Sequence, residues 1–123
     1  SIKELRYHVQ HASDWVKRMG DGTEESHKRI QEAANQLWPY VGEMFGMDAL
    51  ESELANAGYA VDRALLVDEW KKQCTALFDE ATLVMPTEAW HHKGGREGRH
   101  TEHMGFLLAE MQFMQRAYPG AKW

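Results

Sequence analysis

Ile2, Leu5, Val9, Ala12, Val16 and Met19 recur at gaps of 3, 4, 3, 4 and 3, which lays one apolar stripe along an α-helix. The stripe stops at Gly20-Asp21-Gly22, where two glycines allow a turn and Thr23 can cap the next helix. A second stripe, Ile30, Ala34, Leu37, Val41 and Met44, repeats at gaps of 4, 3, 4 and 3. Two long striped helices joined by a short loop predict an antiparallel αα-hairpin. Pro39 interrupts the second stripe and is expected to kink or end that helix near Trp38, because proline removes a backbone donor and restricts the residue before it.

Beyond Gly46-Met47-Asp48 the pattern predicts a short helix from Ala49 to Asn56, then a break at Gly58. Asp62 reads as the N-cap of a third long helix with the stripe Leu66, Trp70, Cys74, Leu77, Ala81 and Val84, closed by Pro86. About fifteen residues rich in glycine, histidine and arginine come next, from Pro86 to His100, and loops of that length are more often functional or mobile than structural. The last helix is expected from about Thr101 to Tyr118, with Met104, Leu107, Leu108, Met111, Gln115 and Tyr118 inward, and it ends at Pro119-Gly120. No internal repeat and no strand-like alternation interrupts this series, so the expected fold class is all-α.

Composition narrows the function classes. The 123 residues suit one domain, and 43% apolar with 27% charged residues is the balance of a folded chain. Fourteen Lys and Arg against nineteen Asp and Glu leave a net charge of −5, which argues against nucleic acid as a partner. The single cysteine, Cys74, excludes an internal disulfide and a cysteine-rich zinc site, fits a reducing cytoplasm, and lies on a core stripe as a small hydrophobe. No apolar run approaches the ~18 residues of a membrane span, and the N-terminus lacks a signal-peptide pattern. The sequence starts at Ser1 and enters helical periodicity at once, which reads as processing or as a piece of something longer.

Three groups of residues could carry chemistry. Glu24-x-x-His27 is the pair that one helix of a di-iron carboxylate bundle contributes, and Glu4 is the available lone carboxylate on the neighbouring helix. In a hairpin folding about Asp21, however, Glu4 lies opposite Trp38, about fourteen positions from Glu24. At 1.5 Å per residue the two carboxylates are ~20 Å apart along the axis, whereas paired metals sit ~4 Å apart. The acid at a helix start is equally explained by the helix dipole. His8, across from Ala34, reads as packing with Glu4 one turn back as partner, or as a weak metal candidate beside Glu24 and His27. The third group is the run from His91 to His103. Lys93, Arg96, Arg99, His100 and His103 stand around glycines just before a helix, a composition suited to a phosphate-bearing ligand or an acidic partner surface. The alternative is a solvated basic loop. The seven methionines and five tryptophans are expected mostly inside, and no serine-hydrolase pattern or nucleotide-binding loop is present.

The run KELRYHVQHASDWVKRMGDGTEESHKRIQEAANQLW, then GYAVD, EATLVMPTEAW and GGREGRHTEHMGFLLAEMQFMQRAYPGAKW, resembles the C-subunit family of the bacterial phenylacetyl-CoA ring 1,2-epoxidase complex over essentially all 123 residues. Members of that family are about twice as long, so the chain matches their C-terminal half. The resemblance implies a ferritin-like helical bundle, of which this chain supplies an αα-hairpin and two further long helices. It implies a non-catalytic structural subunit that supports a di-iron A subunit in the oxygen-dependent epoxidation of phenylacetyl-CoA. Iron, NADPH and flavin or iron–sulfur groups are then expected in other subunits and none in this chain. The alternatives are a ferritin-like oxygenase with its own metal centre, and a module that takes coenzyme A through the basic loop. One helix pair of the bundle is absent from this chain, so Trp15, Leu37 and Val41 are expected to leave an apolar face wet, at a cost of several kcal/mol for a few hundred Å². Either self-association or retention of the other half is the expected consequence.

Overall fold

The computed structural model describes residues 1–87 and 90–122. Among them every regular element is helical: α1 (Ile2–Gly20), α2 (Glu24–Leu37), α3 (Ala49–Asn56), α4 (Val67–Glu80), α5 (His103–Met111) and α6 (Phe113–Ala117), with short 3₁₀ turns between. The chain divides into two compact units, Ser1–His92 and Lys93–Trp123.

In the first unit α1 and α2 form the expected hairpin, and α4 packs against α1. Local chemistry sets the helix starts. The Thr23 side chain accepts from the Ser26 backbone N–H at 3.1 Å, while the Ser26 hydroxyl accepts from the Thr23 N–H at 2.9 Å, a reciprocal capping box before α2. Asp48 and Glu51 repeat that device before α3, at 2.7 and 3.0 Å. Pro39 does end α2: the helix stops at Leu37, and Trp38–Tyr40 continue only as a 3₁₀ turn. Asp62 caps a 3₁₀ turn, Arg63–Leu66, that leads into α4 rather than capping α4 itself.

Two expectations change. The third long helix does not run to Pro86 but ends at Glu80. The Leu83 N–H donates to the Phe78 carbonyl at 2.9 Å and the Thr82 N–H to the Asp79 carbonyl at 3.1 Å, the paired bonds of a Schellman ending. Its left-handed position is Thr82, at φ 58°, where glycine is usual, so the sequence carries no stop signal there. The last helix begins at His103 and is divided at Gln112 into α5 and α6.

The hairpin turn also differs in its physics. Neither Gly20 nor Gly22 has a positive φ. Gly20 is instead the buried last residue of α1, where a Cβ would lie 2.2 Å from the Ala81 carbonyl oxygen. The core of this unit is small: Trp38, Ala81 and Leu83 are its buried apolar residues among those described. Trp38 leans on Trp70 (ring centroids 5.7 Å apart) and Phe78 (6.1 Å), and Phe45 meets Trp70 edge-on at 5.2 Å. Trp15 and Leu37 are exposed, as expected for an uncovered hairpin face, and Trp90 is exposed against the expectation that tryptophans lie mostly inside. The described methionines are half-buried or exposed.

In the second unit Gly94 and Gly98 both take left-handed conformations around the 3₁₀ turn Gly95–Glu97. Phe106, Leu107, Met111 and Phe113 of α5 and α6 stay more than half exposed.

Candidate functional site

α2 carries a polar row, His27, Gln31 and Asn35, with each residue one turn beyond the last. This row faces the stretch of chain beyond α4. Gln31 clamps that stretch at two points: its amide donates to the Val84 carbonyl at 2.8 Å and its carbonyl accepts from the Val84 N–H at 2.8 Å. The second amide hydrogen is directed to the Asn35 side-chain oxygen at 3.1 Å. Farther along, the His92 N–H donates to the Pro39 carbonyl at 2.9 Å, and the His92 ring stacks on Tyr40 with centroids 4.1 Å apart. Trp90 meets His92 edge-on at 4.4 Å.

These clamps hold a cleft of about 590 Å³ between α2 and the returning chain. Trp38, Pro39, Val84, Met85, Pro86 and Trp90 form its apolar walls, and His27 and Thr87 add polar atoms. The buried indole N–H of Trp38 makes no hydrogen bond to any described residue. His27 is fixed by its Nδ1, 2.7 Å from the Gly20 carbonyl oxygen. A carbonyl only accepts, so Nδ1 carries the proton and Nε2 is the acceptor of the neutral ring.

The metal candidates do not come together. Glu24 is exposed at the start of α2, and His27 has turned one nitrogen to the Gly20 carbonyl. His8 and Glu4 meet each other at 3.9 Å on the exposed part of α1, with side chains 68% and 77% accessible, so His8 is not packed across from Ala34. No group of three or more His, Cys, Asp or Glu side chains among the described residues could hold a metal ion. Glu4, His8, Glu24 and His27 do not form such a group.

The basic run divides between the two units. His91 and His92 are half-buried in the first unit, where His92 serves packing. In the second, Lys93, Arg96, Arg99, His100 and His103 are all exposed. The backbone N–H groups expected to meet an anion are partly spent: those of Glu97 (3.0 Å) and Arg99 (2.9 Å) donate to the Gly94 carbonyl, and that of Gly98 donates to Gly95 (3.3 Å). The Gly94 oxygen thus occupies the nest that these amides form. Cys74 is half-buried on α4, and burial pushes its thiol pKa above the ordinary 9.0.

Sequence reasoning missed the cleft. The signal it could have used is the polar row at intervals of four on a helix whose other face is apolar, ending at Trp38. Its opposite wall lies more than fifty residues away in sequence. Among the described residues no helix is long and apolar enough to cross a membrane.

Comparison with known proteins places the chain. The C subunit of 1,2-phenylacetyl-CoA epoxidase from Escherichia coli (strain K12) is 42% identical over 123 residues, covering 100% of this chain and 50% of that protein. The chain therefore spans about half the length of the curated relative it matches. The family model described as phenylacetic acid catabolic protein matches residues 1–123, and with it the chain belongs to that family.

Proposed function

We propose that this chain is part of a C subunit of a phenylacetyl-CoA epoxidase and acts there as a structural, non-catalytic component in phenylacetate breakdown. Its hairpin is one helix pair of a ferritin-like bundle, and its exposed faces meet the other helix pair of that bundle and a partner A subunit that bears the di-iron centre. Iron, NADPH and flavin or iron–sulfur groups belong, on this reading, to the other subunits of a cytoplasmic complex.

One observation carries the reading. The first half of α1 presents Ile2, Leu5 and Val9 at 65%, 61% and 63% exposure, and the end of α2 presents Leu37 at 64%. Each such side chain gains about 1–2 kcal/mol when a partner covers it. A surface of this kind fits association better than catalysis. The similarity to the C subunit of a phenylacetyl-CoA epoxidase supports the same assignment.

The test is co-purification of the chain with the A subunit, using a Leu5→Asp, Val9→Asp double variant. Both positions are exposed, so helicity by circular dichroism is expected to hold while recovery of the complex falls at least tenfold. Undiminished recovery, or near-stoichiometric iron in the purified chain alone, would overturn the proposal.

A further inference from the structure

We propose that the cleft between α2 and residues 84–87 and 90 is a binding site for a small, uncharged, planar ring compound with one hydrogen-bond donor. This assignment is independent of the role proposed for the exposed face of α1.

The cavity has the size and lining of a small-molecule site. Its volume, about 590 Å³, lies within the range of ordinary ligand pockets, and its walls are mostly apolar. Two tryptophans, two prolines and a methionine offer flat or adaptable surface to a ring. No Lys, Arg, Asp or Glu is among the described lining residues, so those residues offer neither an anion nor a cation a fixed counter-charge.

Polar recognition is narrowed because several of the lining polar atoms are already engaged. Gln31 spends its oxygen and both amide hydrogens on Val84 and Asn35, and the Asn35 oxygen takes one of them. His27 keeps Nε2 as an acceptor, its tautomer set by the bond from Nδ1 to the Gly20 carbonyl. A ring N–H or O–H satisfies that acceptor; a ring without a donor leaves it unpaired.

Indole and 1-methylindole differ by the one donor at issue and serve as probes. In protein labelled at the methionine methyls, indole is expected to shift the Met85 signal saturably with one-to-one stoichiometry, and to shift the His27 ring signals. 1-Methylindole is expected to bind roughly fivefold more weakly, the worth of one ordinary hydrogen bond. His27→Phe should erase that preference while retaining ring binding. Trp90→Ala, at a 62% exposed position, should weaken both probes together without unfolding the chain. Absence of any saturable shift, equal affinity for the two probes in the parent protein, or a preference unchanged in folded His27→Phe would each overturn the assignment.

Discussion

Replacing Gly20 by alanine sets two physical effects against each other. By helix propensity alone the change is favourable, since Gly20 lies in α1 without a positive φ and alanine gains about 1 kcal/mol over glycine inside a helix. Tertiary contact opposes it. The new Cβ would lie 2.2 Å from the Ala81 carbonyl oxygen and 2.9 Å from the Ala81 Cβ, and Ala81 is fully buried with nowhere to retreat. Overpacking of this sort costs about 1–3 kcal/mol. The Gly20 carbonyl also accepts from His27 Nδ1 at 2.7 Å and from the Thr82 hydroxyl at 3.2 Å. Displacing the end of α1 weakens both bonds, at about 1 kcal/mol each. The net expectation is a loss of about 2–4 kcal/mol, read as a fall of roughly 1–2 M in the urea midpoint of the far-ultraviolet circular dichroism signal. Gly105→Ala is the control: it lies within α5 with no heavy atom near its would-be Cβ, so stability should hold or rise. If Gly20→Ala were as stable as the parent, close approach of α1 to the end of α4 would not be what selects glycine there.

Other outcomes rest on the same geometry. Gln31→Ala removes both ends of the clamp on Val84, and hydrogen exchange at the Val84 amide should accelerate at least tenfold while α1 amides change little. Cys74 should react with a thiol reagent at pH 8 more slowly than a free thiol, because its folded pKa is raised by burial; urea should abolish the difference. The sign for stability is then fixed: the folded state holds this proton to higher pH than the unfolded state, so the thiol contributes a loss of stability as pH rises above 9.0. Thr23→Ala should cost about 1 kcal/mol in the same denaturation assay, since it removes the side-chain oxygen that accepts from the Ser26 N–H while the backbone N–H at 23 can still donate to the Ser26 hydroxyl.

Elements with local causes were legible in residue spacing alone. The stripe from Ile2 to Met19, the cap at Thr23 and the stop at Pro39 each act within a turn or two of helix, and together they specify the hairpin. The same spacing placed Glu4 in the first turn of α1 and Glu24 at the start of α2. Features that need distant segments to meet were not legible in this way. α4 ends at Glu80 with a left-handed threonine, a conformation accompanied by the Thr82 bond to Gly20, sixty-two positions away. Gly20 serves close packing rather than the turn, which only the position of Ala81 shows. The cleft exists because Gln31 grips Val84 across fifty-three positions, an approach that no local pattern encodes. Local periodicity fixes which residues share a helix face; which face meets which stretch of returning chain is settled by packing, where contributions of about 1 kcal/mol from far apart in the sequence add together.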